Sequence, residues 1–368
     1  MREIVIVIAD FYLPSGSAAN FASPAAEASS GSPGLEHVAR FGQRHGLEGE
    51  GGWRPWLARR LGRDDLTSLA PAVIAAAALD QQPPAADVSA SHGAAAAQGA
   101  VLSSTVWLAA PLHRIAGLTT IHLDRRGLLH LSPEEAEAFV VDFNRTFDDD
   151  SGSPLRLHAL PGGVLLLEAA ANMIATTTEP ARALVSALED SMPKGPQATP
   201  LKRIGAEVEM WLHEHPLNTF RVRRGELPAN ALWLWGGGAR VPGAQPGNVA
   251  RSPRLFGADP YLAGLARLSG APIHPLPHEF PDLADTQCAV FVTEIGPLLH
   301  ANPTWSVFDT LAELDRRFIT PALAALHVGA TDRLTLMAND IELTVRRRDR
   351  LKFWRRPKTA LGIWSTSR

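Results

Sequence analysis

The sequence predicts an α/β fold in which a mainly parallel sheet carries helices on both faces. Residues 4–9 are β-branched residues and one alanine, a composition that suits a strand buried on both faces. Further strand patterns alternate with helical ones toward the C-terminus, and this alternation favours parallel pairing. A β-β-α-β-β pattern over about residues 100–195 is typical of a small α+β unit inserted into a larger one.

The N-terminal part carries short helical patterns between segments of small residues. Apolar residues at helical spacing predict helices over 34–42 and 53–61, and an alanine-rich apolar run predicts a buried helix over 69–79. Residues 14–34 are rich in Ser, Ala, Gly and Pro and are interpreted as a surface loop. Residues 81–100 have a similar composition and are the best candidate for a boundary or a long loop.

The predicted inserted unit has a helix between two hairpins. The turn of the first hairpin is expected at 123–128, and the second hairpin covers 155–168. Ser132, Pro133 and Glu135 combine an N-cap, a proline at the first helical position and a capping box, so they predict a helix start.

The C-terminal part alternates between helices and strands after an amphipathic helix predicted over 202–214. The pattern predicts a strand at 229–235 that ends in a glycine triplet, a helix at 261–268, a strand at 288–293, a helix at 307–326 and a strand at 333–337. The proline-flanked segment 193–200 is interpreted as the linker that leaves the inserted unit. We therefore expect a core of residues 1–100 and 196–368 and an inserted α+β domain of residues 101–195.

Composition excludes several classes of protein. The 368 residues are 45% hydrophobic, which excludes wholesale disorder, and the net charge of -3 gives no general attraction to nucleic acid or anionic lipid. Cys288 is the single cysteine, which excludes an internal disulfide framework and a multi-cysteine zinc site. The apolar run at 4–9 is too short to span a bilayer, and no later run is long enough. We expect a soluble, cytoplasmic protein.

Three acidic residues follow predicted strands of the core. Asp10, Glu294 and Asp340 lie where the carboxyl ends of parallel strands are expected to meet, which is where ligands bind in open α/β sheets. Carboxylates gathered at that edge suit divalent metals that activate a nucleophile and hold a phosphate. The alternative is that each carboxylate caps a turn or a helix N-terminus.

Other polar segments are open to two interpretations. His215 precedes a proline in a loop, where histidine acts as a ligand or acid/base, or the segment simply ends a helix. The glycine triplet at 236–238 allows backbone N–H groups to approach an anion, but it lacks the sequence of a P-loop. The basic segment 346–358 suits an acidic partner or forms a solvated face. His130 and the three other histidines of the inserted unit lack metal-ligand spacing and are expected to be surface or hydrogen-bonded residues.

The motifs resemble one known family. Over residues 215–238 the chain carries His-Pro-Leu-Asn, then Arg221, Gly225, Pro228-Ala229-Asn230 and the strand end Leu234-Trp-Gly-Gly-Gly. This block resembles the archaeal-type cofactor-independent phosphoglycerate mutases of the alkaline phosphatase superfamily. The strand end is similar to that of the bacterial RpfE-type regulatory branch. The resemblance implies an alkaline-phosphatase-like core with an inserted domain.

The resemblance also implies roles for residues of this chain. The implied substrate-binding residues are His215, Asn218, Arg221, Asn230, Gly236 and Gly237. The implied metal ligands, for Mn or Zn, are Asp10, Glu294, His300 and Asp340. Thr67 and Ser68 are the candidates for the family's nucleophile.

The chain departs from the family pattern at the residues that carry its chemistry. Ile341 replaces a metal-binding histidine, Trp235 replaces an arginine that would contact phosphate, and Glu294 replaces an aspartate with His300 displaced to six residues further on. We therefore expect a degenerate, non-catalytic relative that binds a small phosphorylated ligand or a protein partner. The alternative is an active metal-dependent phosphoglycerate mutase or phosphatase with a rearranged two-metal site.

Overall fold

The computed structural model describes residues 2–12, 31–47, 51–79, 104–117, 121–147, 155–169, 173–184, 188–241, 253–338, 340–351 and 354–355. The strands are β1 (Glu3–Ile8), β2 (Gln43–Gly46), β3 (Thr105–Leu112), β4 (Ile115–Ala116), β5 (Ile121–His122), β6 (Arg156–Leu160), β7 (Val164–Ala169), β8 (Ala231–Ala239), β9 (Arg254–Phe256), β10 (Ile273–His274), β11 (Cys288–Thr293), β12 (Arg333–Ala338) and β13 (Ile341–Arg346). The α-helices are α1 (Pro33–Phe41), α2 (Trp53–Arg60), α3 (Pro71–Ala76), α4 (Pro133–Thr146), α5 (Pro180–Ala183), α6 (Ala198–His213), α7 (Pro216–Arg223), α8 (Pro260–Ser269), α9 (Ile295–Ala301), α10 (Val307–Leu314) and α11 (Thr320–Val328).

The larger sheet is mainly parallel, as predicted. Its strand order is β10-β9-β11-β1-β12-β13-β2. The pairs among β10, β9, β11, β1 and β12 are parallel, and β13 pairs antiparallel with β12 and β2. Ile8 of β1 lies opposite Thr293 of β11 and Ala338 of β12. The carboxyl ends of these three strands therefore meet at one edge of the sheet.

Helices cover both faces of this sheet, which confirms the predicted α/β class. Ile4, Ile6 and Ile8 belong to a buried cluster with residues of α1, α10 and α11. Val5 and Val7 point to the opposite face and pack with α2 and α8. Strand side chains alternate between the two faces, so a run that is apolar at every position requires helices on both.

The smaller sheet is antiparallel, with the order β6-β7-β3-β8. Trp107 of β3 packs with Phe139 and Phe143 of α4 and with Leu212 of α6. The strand expected at 229–235 in the larger sheet is β8, which pairs with β3 instead. Its sequence pattern predicts a strand without specifying the partner. The limits 1–100, 196–368 and 101–195 of the two domains remain a prediction.

Several element boundaries differ from those expected. The glycine triplet lies inside β8 rather than after it, and the exit linker already includes the start of α6. The helix predicted over 307–326 is divided by a π-turn at Asp315–Ile319, where the Asp315 carboxylate accepts the N–H groups of Gly34 and Leu35. The sequence pattern missed β2, β9, β10 and β13. Expectations for 14–30, 81–100, 148–152, 242–252, 352–353 and 356–358 lie outside the described residues.

No helix in the described segments is both long and apolar enough to cross a membrane.

Candidate functional site

A cavity of about 150 Å³ opens where the carboxyl edge of the larger sheet faces the smaller sheet. We call it the edge cavity. Its polar wall consists of Asp10, Arg54, His130, Glu179, Asp259 and Glu294. Its apolar wall includes Trp235 of β8 and Leu108 of β3. The cavity is thus built from both sheets, with the charged groups mainly on the side of the larger one.

Asp10 follows β1, and its carboxylate is held by the start of α9. Oδ1 accepts the N–H of Ile295 at 2.7 Å, and Oδ2 accepts the N–H of Gly296 at 2.7 Å. The guanidinium of Arg125 donates to the backbone oxygen of Asp10 and lies 4.0 Å from Oδ2. The first N–H groups of a helix have no partner within the helix, so a carboxylate at this position stabilises it.

Glu294 occupies the N-cap position of the same helix, but its side chain does not cap it. Within the described part of the chain, no group donates a hydrogen bond to this carboxyl. The residue is half-buried, and its carboxyl lines the cavity wall. Burial, together with the negative charges of Asp259 and Asp10, raises its pKa to about 8. Glu294 is therefore mostly protonated near neutral pH.

Arg54 is a buried cation between two acids. Its guanidinium donates to Glu179 at 2.8 Å and to Asp259 at 3.3 Å. It also lies over the rings of Trp53 at 4.5 Å and Trp235 at 4.7 Å. Burial lowers the pKa of this guanidinium, but Glu179 and Asp259 more than compensate and raise it above its ordinary value.

Arg182 extends this network to Asp340. Its guanidinium makes two hydrogen bonds to the Asp340 carboxylate, one of them at 2.6 Å, and lies 3.7 Å from Glu179. The hydroxyl of Tyr12 donates to Glu179 at 3.1 Å. In space, acidic and basic side chains alternate in the order Asp259, Arg54, Glu179, Arg182 and Asp340. Each guanidinium bridges two carboxylates, so these acids are neutralised from within the protein.

The predicted metal ligands do not form one ligand set. Asp10 and Glu294 line the edge cavity, but Asp340 is engaged by Arg182. His300 lies with Nδ1 2.9 Å from the carbonyl oxygen of Gly296 and Nε2 2.9 Å from that of Arg126, so neither ring nitrogen faces the cavity. Across the described segments, no group of three or more His, Cys, Asp and Glu side chains is arranged to hold a metal ion. The predicted site for Mn or Zn does not fit these residues.

The predicted nucleophiles lie elsewhere. Thr67 follows a short 3-10 turn, and its hydroxyl donates to the backbone oxygen of Asp64 at 2.7 Å. Ser68 is exposed. Neither residue is part of the edge-cavity wall. The structure thus does not bring them to the acids at the sheet edge.

The residues of the His-Pro-Leu-Asn block hold α6 and α7 together. His215 caps α7 by accepting the N–H of Leu217, and burial lowers the pKa of its ring. The Asn218 side chain donates to the backbone oxygens of Leu212 and Ala229 and accepts the N–H of Ala229. These bonds satisfy backbone groups at the end of α6, at the start of α7 and just before β8.

Arg221 and Asn230 have similar roles in the same unit. Arg221 donates to Glu135 at 2.9 Å and to the backbone oxygen of Leu227. Asn230 exchanges two hydrogen bonds with the backbone of Arg114. None of the four residues predicted to bind substrate in this block lines the edge cavity. Their predicted contact with a substrate remains untested.

The glycines of β8 allow close packing. Gly236 adopts a positive φ of 64°, and its N–H donates to the hydroxyl of Thr177 at 3.0 Å. A Cβ on Gly237 would lie 2.1 Å from the ring of Trp107. The neighbouring Trp235 reaches the edge cavity, whereas the two glycines do not line it.

Sequence reasoning missed most of the charged residues of the cavity. Arg54, Glu179 and Asp259 carry no motif, although Asp259 before Pro260 is a recognisable helix N-cap. His130 is exposed, as expected, and its side chain also lines the cavity between the buried Leu129 and Leu131. Desolvation by the surrounding protein atoms, together with the charges of His300 and Arg221, lowers the pKa of its imidazole.

Comparison with known proteins gives partial matches. No protein-family model matches the chain. A segment of 64 residues, 17% of this chain, is 39% identical to a 2,3-bisphosphoglycerate-independent phosphoglycerate mutase from Methanothrix thermoacetophila. Over this segment of 64 residues, the chain is similar to a phosphoglycerate mutase. The match spans 16% of the length of that relative.

Two solved structures are similar over most of the chain. The cofactor-independent phosphoglycerate mutase from Thermoplasma acidophilum has a TM-score of 0.38 and 18% identity, with coverage of 94% of this chain and 89% of that one. The PH0037 protein from Pyrococcus horikoshii has a TM-score of 0.44 and 13% identity, with coverage of 94% and 87%.

Proposed function

We propose that this protein is a degenerate relative of the phosphoglycerate mutases that binds a small ligand in the edge cavity and does not transfer phosphoryl groups. Its role would then be regulatory, as in the RpfE-type branch, on an alkaline-phosphatase-like frame. The short segment similar to the Methanothrix mutase and the motif block at 215–238 support the relationship.

One observation is the main support for the proposed loss of catalysis. Asp340, a candidate metal ligand, is engaged by both terminal nitrogens of Arg182. Two-metal phosphoryl transfer needs carboxylates that are free to bind cations about 4 Å apart. In this protein, Arg54 and Arg182 each lie between two carboxylates. Both carboxylate oxygens of Asp10 accept hydrogen bonds from N–H groups at the start of α9. A divalent ion would have to displace these contacts before it gained Asp10 or Asp340 as a ligand.

The cavity itself supports a binding role. It joins a charged wall with an apolar one, and it has a volume that admits a molecule the size of benzene. Ligand pockets commonly combine a largely apolar lining with a few polar groups that orient the ligand. The position at the carboxyl edge of the parallel sheet is also the usual one for ligands in α/β folds.

The test is a metal count combined with a turnover assay. Purified protein is equilibrated with Mn²⁺ or Zn²⁺, freed of excess ion and analysed for ions per chain, and conversion of 3-phosphoglycerate is followed with a coupled assay. We expect less than one ion per chain and no turnover above that of Asp10→Asn. Two ions per chain, with turnover that Asp10→Asn abolishes, would overturn the proposal and establish the active metal-dependent mutase or phosphatase.

A further inference from the structure

The charge of the edge cavity differs from what a phosphate ligand needs. Four carboxyl groups line it, from Asp10, Glu179, Asp259 and Glu294, and one guanidinium, from Arg54. That guanidinium is already shared between Glu179 and Asp259. A phosphate entering the cavity would meet more carboxylates than free cations, which makes its binding unfavourable.

The other positive groups nearby are also engaged. Arg125 donates to the backbone oxygens of Asp10 and Tyr12, and its guanidinium faces the Asp10 carboxylate. His130 lines the cavity, but its lowered pKa keeps the imidazole neutral near pH 7. Neither group supplies an uncommitted positive charge to an anion.

Glu294 differs from the other three carboxyl groups of the wall in its hydrogen bonds. Its residue is half-buried, and its carboxyl faces the cavity and receives no hydrogen bond from the described residues. By contrast, Asp10, Asp259 and Glu179 each accept at least two hydrogen bonds. A buried carboxyl without a partner is costly unless a ligand supplies the missing donor or charge.

The remaining wall is apolar and includes an aromatic ring. Leu108, Leu129, Leu131 and Val164 line the cavity together with the indole of Trp235. Cations bind favourably to the face of tryptophan, and Arg54 already uses this ring in that way at 4.7 Å. The wall therefore suits a ligand with a short hydrocarbon part and a positive group.

We infer that the edge cavity binds a small organic ammonium ion, whose charged group pairs with Glu294 and whose hydrocarbon part contacts the apolar wall beside Trp235. Binding of the positive group releases to solvent the proton that Glu294 holds near neutral pH, so the carboxylate forms together with the ion pair. This inference rests on the proposed function, because it assumes that the cavity is a ligand site without bound metal. A cavity of about 150 Å³ limits the ligand to about six non-hydrogen atoms.

Three probes with the same carbon skeleton separate charge from shape. They are 3-methylbutylammonium, 3-methylbutan-1-ol and 3-methylbutanoate, which are positive, neutral and negative at pH 7. Calorimetric titration of the full chain should show the ammonium ion binding at least tenfold more tightly than the alcohol, with the carboxylate and inorganic phosphate weakest. Equal affinity for ammonium ion and alcohol, or tighter binding of either anion, would overturn the inference.

Variants of Glu294 test the pairing. Glu294→Gln removes the acidic group at constant shape and should weaken ammonium binding about tenfold, whereas Glu294→Asp keeps an acidic group and should retain part of the affinity. Glu137→Gln on the exposed face of α4 is the matched control and should bind like the unmodified protein. If Glu294→Gln does not fold, the ranking of the three probes on the unmodified chain still decides the question.

The outcomes distinguish this inference from the proposed function. If none of the probes binds and the protein neither takes up metal nor turns over 3-phosphoglycerate, the ammonium site is wrong while the loss of catalysis stands. If Mn²⁺ binds stoichiometrically and displaces the ammonium ion, the cavity is a metal site and both proposals fail.

Discussion

Arg182 holds Asp340 through two side-by-side hydrogen bonds, from Nη1 to Oδ2 at 2.6 Å and from Nη2 to Oδ1 at 2.5 Å. Asp340 has a positive φ of 61° in the turn between β12 and β13, so the ion pair fixes a strained turn residue to α5. A Cβ on Gly52 would lie 2.7 Å from the Arg182 guanidinium. The pair thus connects the larger sheet with α5 next to Gly52.

Breaking this pair should destabilise the protein. Arg182→Gln removes the charged donor, and Asp340→Asn removes the acceptor charge while keeping a residue type that tolerates positive φ. Because both side chains are partly exposed, we expect each change to lower the free energy of unfolding by about 1–3 kcal/mol. Chemical denaturation of the two single variants and the double variant measures the coupling. Additive losses would show that the two side chains do not interact in solution.

Glu294 should make stability fall as the pH rises. Its pKa of about 8 in the folded protein lies above its ordinary value of 4.5, because of burial and the nearby carboxylates of Asp259, Asp10 and Glu179, which outweigh Arg54. Between these two pH values the folded protein keeps a proton that the unfolded chain releases. The stabilising contribution is therefore complete below pH 4.5 and lost as the pH rises through 8.

Glu294→Gln removes this dependence and provides the measurement. Calorimetry gives the Tm of both proteins at each pH. The amount by which the Tm of the variant exceeds that of the unmodified protein should be about 2–4 °C larger at pH 8.5 than at pH 5. The Glu137→Gln control should show no such trend. Parallel Tm curves for the Glu294→Gln variant and the unmodified protein would contradict the raised pKa.

An alanine at position 296 should disturb the cavity wall. The added Cβ would lie 2.6 Å from Nε2 of His130 and 3.3 Å from Oδ2 of Asp10, so the imidazole has to move. We expect a loss of about 1–3 kcal/mol in the free energy of unfolding. Gly205→Ala on α6 is the matched control, because its Cβ meets no atom within 4 Å and alanine favours helix by about 0.5–1 kcal/mol. Equal effects at both positions would show that the His130 contact is not tight.

Asn218 offers a test of structural against ligand-binding roles in the His-Pro-Leu-Asn block. Asn218→Ala leaves the backbone oxygens of Leu212 and Ala229 without their donor. The free energy of unfolding should fall by about 1–3 kcal/mol, while the affinity of the edge cavity for its ligand stays the same. A variant with full stability and weakened ligand binding would instead support the predicted contact with substrate.

Gly237→Ala should act through Trp107. The new methyl group would overlap the indole, whose ring atoms lie 2.1–2.3 Å from the Cβ position, so the core of the smaller sheet has to repack. We expect a loss of at least about 1–3 kcal/mol and a changed near-ultraviolet circular dichroism signal from the indole. An unchanged spectrum and stability would contradict a packing role for this glycine.

Part of the candidate site was predictable from local patterns. Asp10 and Glu294 directly follow apolar strands, and parallel pairing brings the ends of β1 and β11 to the same edge. Both residues line the same cavity for that reason. Asp340 also follows a strand of that edge, but the hairpin to β13 turns it toward Arg182. Strand patterns alone do not show whether a strand continues into a loop or into an antiparallel neighbour.

The sequence by itself determined the elements whose causes are local. The apolar run of β1 requires a strand covered on both faces, and Ser132 with Glu135 forms the predicted capping box at the start of α4. Only the tertiary structure decided the charge partners. Arg54 meets Glu179 and Asp259 across 125 and 205 residues of chain, and Arg182 meets Asp340 across 158. Contacts between such distant residues depend on how the two sheets pack, and no local pattern encodes them.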